Sequence, residues 1–214
     1  MSALARSALH KGETPQRIIA AAAEIFSIHG FRGARIRDIV RLAGVNVASV
    51  NYYFGGKESL YAATIAELSS SRSAQRPQDA AALDPIESLE EHITAMLDRA
   101  TLGGPSARLS RILAHESMQP TAFFDSAVRY AMEPEFEKLE RIVQRVDPDM
   151  SDLDASALAL SIMGQCYFYL FAGAAVGKLL KGRSGAAMNL IAGKLTHFAV
   201  SAIRGNRSIS WRSR

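Results

Sequence analysis

The stretch Arg35–Leu60 reads RIRDIVRLAGVNVASVNYYFGGKESL and contains two short helical patterns on either side of Gly44. In the first pattern, apolar residues recur at i, i+3, i+4 and i+7, as on one face of a helix: Ile36, Ile39, Val40 and Ala43. The second pattern has the same spacing and consists of Val47, Val50 and Phe54. Gly44 tolerates the positive φ of a tight turn between crossing helices, and Asn46 is placed to cap the second helix. The spacing predicts a helix-turn-helix, whose second helix enters the major groove of DNA.

The second helix of this motif carries the side chains that we expect to contact DNA. Ser49 can bond a base or a phosphate, Asn51 can bond adenine through two atoms, and the small apolar residues at its start can contact a thymine methyl. Tyrosine hydroxyls, lysine, and an arginine at the start of the preceding helix suit phosphates. Core packing is the alternative for Tyr52, and a solvated charge is the alternative for Lys57. The predicted DNA-binding residues are Arg37, Val47, Ala48, Ser49, Asn51, Tyr52, Tyr53 and Lys57.

Three segments resemble the DNA-binding domain of the TetR family of transcriptional regulators. They are an amphipathic first helix closed by HGF at 29–31, RDIVxxAGV at 37–45 and ASVNYYFxxKExL at 48–60. The segment RILAHESMQP at 111–120 resembles the subgroup with a CecR-like C-terminal domain. Ala34 and Arg35 stand where the family usually has a capping Ser or Thr. Asn51 stands where the family often has an aromatic residue, which implies a different reading of DNA.

The resemblance implies an all-α protein with a three-helix helix-turn-helix domain followed by a larger helical bundle. We expect the DNA-binding domain at residues 13–60, within an N-terminal region 1–68, and an effector-binding and dimerisation domain at 80–205. The implied function is transcription regulation, as a homodimeric repressor that a small, largely apolar effector releases from a palindromic operator in double-stranded DNA. No cofactor is implied.

Composition and charge are consistent with contact between part of the protein and a polyanion. The chain has 214 residues, and this length is enough for one large or two small domains. Of these residues, 48% are hydrophobic. Residues 1–68 carry 8 basic and 5 acidic side chains, 69–177 carry 9 and 16, and 178–214 carry 8 and none. Basic ends around an acidic middle are typical of a protein that meets nucleic acid with only part of its surface. Solvated faces are the alternative for each basic run.

Turn residues divide the remainder of the chain into further helices. We expect Gly30 to end the first helix, which begins at Thr14, and a fourth helix to start near Lys57. The polar segment Ser69–Asp79 predicts a linker or a frayed turn, and the domain boundary. Beyond it, we expect a helix break where two glycines precede Pro105. Pro134 should split the last helical pattern of this region. These breaks lie at Gly103–Pro105, Pro120, Pro134 and Pro148.

The run Ala155–Gly177 has 23 residues without a charge. Its length would permit a membrane span, and a membrane-anchored protein is one alternative. Polar residues and three glycines within it favour a helix that is buried on one side by its own bundle and on the other by a second subunit. The last helix is expected at Gly185–Arg204, and together the two helices predict a two-fold dimer with no membrane segment.

Enzyme chemistry has no positive support in the sequence. The five histidines are scattered, Cys166 is the single cysteine, and neither a P-loop nor a GxSxG motif is present. We therefore predict no catalytic residues and no metal, and we interpret Cys166 as a small core residue. A single cysteine and an N-terminus without a long apolar segment favour a cytoplasmic protein.

The expected effector pocket combines apolar walls with a few polar groups, as small-molecule sites do. Simple core packing is the alternative for its aromatic and methionine side chains. The candidate residues are His115, Glu116, Met118, Phe123, Phe124, Tyr130 and Tyr167.

Overall fold

The computed structural model describes residues 14–74, 83–101, 104–181 and 184–205, and in these ranges every regular element is helical. The fold class is therefore all-α, as predicted. A π-helical turn, Val128–Met132, follows the seventh helix. The helices are α1 Thr14–Gly33, α2 Ile36–Ala43, α3 Val47–Phe54, α4 Lys57–Ala74, α5 Pro85–Thr101, α6 Gly104–Met118, α7 Phe124–Ala127, α8 Glu133–Val146, α9 Asp152–Phe171, α10 Gly173–Leu179 and α11 Ser184–Gly205.

Helix α1 bends sharply at Gly30, whose φ of 63° and ψ of 179° leave the helical region. Glycine adopts this conformation without the steric cost that a Cβ would bring. A Cβ at this position would also lie 3.1 Å from the imidazole of His115 on α6. The predicted end of the first helix is thus a kink at Gly30, with one further turn up to Gly33.

The first compact unit contains α1–α4, α6, α7 and the π-helical turn. Helix α6 packs against both α1 and α4 within this unit. Each helix contributes the apolar face that its 3.6-residue periodicity defines. The largest fully buried side chains of the unit are Ile18, Phe26, Ile39, Leu60, Tyr61, Ile65, Leu109, Ile112 and Leu113.

The second compact unit contains α5 and α8–α11. Helices α5, α8 and α9 pack against one another, and α11 packs mainly on α5. Pro134 lies in the first turn of α8, where its missing N–H costs no helical hydrogen bond, so the predicted interruption is confirmed. The core of this unit includes Leu89, Ile93, Met96, Leu97, Leu139, Val143, Ala159, Ile162, Met163, Ala199 and Ile203.

The predicted linker or frayed turn was wrong for the first part of its segment. The expected linker at Ser69–Asp79 is helical as far as Ala74; residues 75–82 lie outside the described ranges. Serine is tolerated there because its hydroxyl finds carbonyl partners: Ser69 Oγ donates to the Tyr130 carbonyl at 2.8 Å and Ser70 Oγ to that of Glu67 at 3.0 Å.

The uncharged run Ala155–Gly177 does not form one continuous helix. Helix α9 ends at Phe171, and α10 begins at Gly173 after Ala172 has left helical geometry at φ −102° and ψ 21°. Among the described helices, none combines the length and the apolar character that crossing a membrane requires.

Candidate DNA-binding site

Two hydrogen bonds hold the turn between α2 and α3 where α2 ends. Gly44 has φ 67° and ψ 39°, the left-handed conformation, and its N–H donates to the Val40 carbonyl. Val45 N–H donates to the same carbonyl at 3.0 Å. Both bonds go to the Val40 carbonyl, one of those that a helix end leaves without a partner, so they stabilise the end of α2.

Arg17 on α1 reinforces this turn from outside the motif. Its Nη2 donates to the carbonyl of Ala43 at 2.6 Å and to that of Gly44 at 3.2 Å. A guanidinium at the C-terminal end of α2 also complements the negative end of the helix dipole. Arg17 thereby fixes the crossing of α2 and α3, a role that sequence reasoning missed because the partners are backbone atoms 26 and 27 residues away.

The predicted cap of α3 is present. Asn46 has extended geometry, and its side-chain Oδ1 accepts a hydrogen bond from Ser49 N at 2.9 Å. The start of α2 differs, because Arg35 occupies the N-cap position and makes no side-chain cap bond. This agrees with the departure from a capping Ser or Thr noted in the sequence.

Helix α3 turns one face inward through Val50, which is fully buried, and leaves the opposite face open. Tyr52 is 82% exposed, which rules out core packing for this side chain in the first unit. Arg37 at the start of α2 is exposed as well, whereas Ser49 is half-buried. The other exposed predicted residues on α3 are Val47, Ala48, Asn51 and Tyr53.

Lys57 at the start of α4 is anchored on an aromatic ring. Its ammonium nitrogen lies 4.7 Å from the centroid of the Phe31 ring, within the range of a cation–π interaction. Partial burial lowers the pKa of Lys57, and the neighbouring Glu58 carboxylate opposes that shift. Lys57 is therefore a positioned cation beside α3 and not a freely solvated one.

A buried polar cluster connects α4 to α6 and to the segment that follows α6. Glu116, 1% exposed, accepts a hydrogen bond from Tyr61 Oη at 2.8 Å and another from Thr121 N–H at 3.0 Å. Burial and the Glu116 carboxylate together raise the pKa of Tyr61 well above its usual value. The rings of Phe31 and Phe123 lie 5.0 and 5.2 Å from that of Tyr61. These hydrogen bonds and ring contacts restrict the motion of α4 relative to α6.

Family models match most of the chain described above. The bacterial regulatory proteins of the TetR family match residues 18–64, which contain the two-helix motif and its supporting helix. The C-terminal domain of the HTH-type transcriptional dual regulator CecR matches residues 85–205, more than half of the chain. This chain belongs to the TetR family. Its sequence matches those of DNA-binding transcription regulators that carry a CecR-like C-terminal domain.

Relatives of this TetR-family chain match it over different lengths. The HTH-type transcriptional regulator RutR of Escherichia coli K12 is 43% identical over 51 residues, 24% of either chain. The dual regulator CecR of Shigella flexneri is 29% identical over 148 residues, covering 62% of this chain and 65% of CecR. The chain thus matches about a quarter of RutR and just under two thirds of CecR.

A solved structure shows the same fold over nearly the whole regulator. FadR from Bacillus subtilis, determined in complex with stearoyl-CoA, superposes with a TM-score of 0.67 at 16% identity. The superposition covers 86% of this chain and 97% of FadR. At this identity the similarity shows the fold alone.

The seven residues predicted for the effector pocket lie in different surroundings. In the first unit, Glu116 and Phe123 belong to the buried cluster and His115 packs beneath Gly30. Met118 is 82% exposed, Tyr130 is exposed, and Phe124 is half-buried. In the second unit, Tyr167 is buried, and its ring stacks on that of Phe171 at 5.3 Å. Their role in effector binding remains a prediction.

The second unit of the regulator contains ionisable groups in its core. Oε2 of Glu135 lies 3.0 Å from both His92 Nε2 and Arg99 Nη2. Burial lowers the pKa of His92, against the opposing effect of Glu135. Burial also raises the pKa of Cys166 to about 12, so its thiol stays protonated at neutral pH, as expected of a core residue. Within the described residues, no group of three or more His, Cys, Asp or Glu side chains could hold a metal ion.

Proposed function

We propose that this regulator is a homodimeric repressor that binds a palindromic operator and is released by a small, largely apolar effector. The observation that carries the proposal is the open face of α3. It presents Asn51 and Tyr52 to solvent beside the positioned ammonium of Lys57, on a helix whose start and preceding turn are both fixed by hydrogen bonds. This arrangement suits simultaneous base and phosphate contacts in a major groove.

The dimer is proposed because the second unit has exposed apolar surface. Along α9, exposed apolar positions recur at helical spacing, and Gly164 lies between them and allows close approach of a second backbone. On α11, Leu190 is 63% and Phe198 58% exposed. Soluble proteins rarely leave such surface open, and a two-fold axis would pair it with itself. The exposed apolar side chains of α9 are Leu153, Leu160, Phe168 and Phe171.

The effector assignment rests on the class of ligand seen in a protein of the same fold. FadR was determined with stearoyl-CoA, whose acyl chain is apolar. The second unit here has a mainly apolar core that also contains the buried carboxyl groups of Glu135 and Asp147. Such an effector would act by favouring one spacing of the two reading heads over the other.

Selection of bound sequences from random duplex DNA tests the proposal directly. We expect enrichment of an inverted repeat whose half-sites lie about one helical turn, or a multiple of it, apart, because a two-fold dimer reads a two-fold site. Enrichment of a single half-site would contradict the dimer, and a flat sequence distribution would contradict specific DNA binding altogether.

Asn51 and Lys57 are expected to make different contributions to operator binding. Asn51→Ala should cost about 1–3 kcal/mol at one base position and relax the preference there. Lys57→Ala should weaken binding to every duplex and reduce the slope of log K against log salt by about one unit. Lys178→Ala, which removes an exposed lysine of the second unit, is the control and should leave the slope unchanged. Titrations at several salt concentrations measure both effects; equal losses on operator and random DNA for Asn51→Ala would refute its role.

Effector and operator are expected to weaken each other's binding by the same factor. Coupling of about 1–3 kcal/mol changes operator affinity roughly 5–150-fold, and thermodynamic linkage requires the reciprocal effect. Calorimetry of a compound that relieves repression in cells, with and without operator duplex, measures the factor. Identical affinities in the two titrations would show that the compound acts through another protein.

A further inference from the structure

The contacts of Asn46 fix which atom of its side chain faces Ser49. Ser49 N lies 2.9 Å from the Asn46 atom assigned as Oδ1. A backbone N–H is a donor only, so this atom must be the carbonyl oxygen of the amide and not its nitrogen. The N-cap hydrogen bond thereby settles the orientation of the Asn46 amide.

The same oxygen fixes the hydroxyl of Ser49. Ser49 Oγ lies 3.0 Å from Asn46 Oδ1. Two oxygens at this distance share a hydrogen bond only if one supplies the proton, and an amide oxygen has none to give. The Ser49 hydroxyl therefore donates to Asn46, and only its lone pairs remain for another partner.

Because its hydroxyl can only accept a further hydrogen bond, Ser49 can bind only donor groups in DNA. Phosphate oxygens only accept hydrogen bonds, as do guanine O6 and N7 and thymine O4. The donors in the major groove are the amino groups of adenine N6 and cytosine N4. Because each base pair offers its donor on one strand, an acceptor held on α3 distinguishes A or C on that strand from G or T.

We infer that Ser49 is a base-reading residue that selects adenine or cytosine at one position of each half-site, and that Asn46 is the positioning residue that makes it an acceptor. This inference rests on the proposed DNA-reading function and resolves the choice between base and phosphate that the sequence left open for Ser49. Asn46 thus has two roles, as the cap of α3 and as the group that sets the polarity of a contact.

The 214-residue chain and three variants of it test the assignment. Wild type is taken through selection from random duplexes, and dissociation constants are then measured for operators carrying each of the four bases at each half-site position. Ser49→Ala should weaken binding to A or C at one position by roughly 2–10-fold, the value of a single hydrogen bond, and leave G and T there unchanged.

Asn46→Gly separates positioning from capping. Glycine is a tolerated N-cap, so α3 should persist, while the Ser49 hydroxyl becomes free to rotate and donate. The Asn46→Gly protein should then bind operators with G or T at that position more tightly than wild type does. Damage to α3 would instead weaken its binding to every operator. Asn46→Asp is the matched control: it retains an acceptor for both Ser49 groups, so the base preference should persist while its charge weakens binding to every duplex.

Several outcomes would overturn the assignment. They are an unchanged base preference in Asn46→Gly, an equal loss on all operators in Ser49→Ala, or a wild-type preference for G or T at the position that Ser49→Ala alters. An operator in which no position responds to Ser49→Ala would refute only this inference. Failure of wild type to enrich any sequence would refute the proposed DNA-reading function and this assignment with it.

Discussion

Phe198→Glu is expected to convert the regulator into a monomer that binds its operator about 10²–10⁴-fold more weakly. Phe198 is 58% exposed on α11 of the single chain, so a glutamate there meets water in the monomer and leaves the second unit folded. In the proposed dimer the same change would bury two carboxylates in an apolar interface, which costs far more than the contacts can return. Loss of the second reading head removes the gain from binding two linked half-sites, which sets the expected factor.

Sedimentation, circular dichroism and operator titration together measure this prediction. Ile28→Glu is the control for oligomeric state, because Ile28 is similarly exposed, at 51%, but lies on α1 in the first unit. We expect this variant to remain dimeric. A Phe198→Glu protein that is helical and still dimeric would place the interface elsewhere, and a wild type that sediments as a monomer at micromolar concentration would end the dimer proposal.

Removing the donor of the buried cluster is expected to destabilise the first unit. Tyr61→Phe deletes the hydroxyl that donates to Glu116 at 2.8 Å and leaves a carboxylate that is 1% exposed with one partner fewer. A hydrogen bond to a charged group contributes about 1.5–3 kcal/mol, and we expect a loss of this size. Glu116→Ala should cost more, because it leaves both Tyr61 Oη and Thr121 N–H without their acceptor and opens a cavity.

Urea unfolding measures both losses as a shift of the midpoint. Tyr52→Phe is the matched control, since it makes the same chemical change at a tyrosine that is 82% exposed and should alter stability by less than about 0.5 kcal/mol. Equal midpoints for Tyr61→Phe and wild type would show that the Tyr61–Glu116 bond contributes nothing to stability.

Local signals in the sequence predicted the helix-turn-helix closely. The positive φ of Gly44 and the cap at Asn46 follow from residue types within a few positions of the feature, whereas Gly30 was expected to end α1 and instead bends it. The helix start at Pro134 in α8 was also predicted from a local residue type. Such features depend on backbone sterics and on short-range hydrogen bonds, which a single sequence displays directly.

Other features depend on partners that are distant in the chain. Periodicity predicted that Leu109 and Ile112 lie on the buried face of α6. It did not predict that α1 and α4 are the helices that pack against this face. Arg17 and Tyr61 likewise gave no local signal, because their partners lie 26 to 55 residues away. The serines after Leu68 favoured a linker over a helix for the same reason: the carbonyl that holds Ser69 belongs to Tyr130.

The packing of α6 on α1 and α4 also limits how this protein could be recombined with its relatives. A DNA-reading module excised after Leu68 would lose Glu116, the acceptor of Tyr61, and the imidazole that fills the space at Gly30. The first compact unit is encoded in two separate pieces of the gene, whose described residues are 14–74 and 104–131. Crossovers that exchange operator specificity between such regulators should therefore succeed when both pieces move together, and a single breakpoint in the expected linker would join mismatched surfaces.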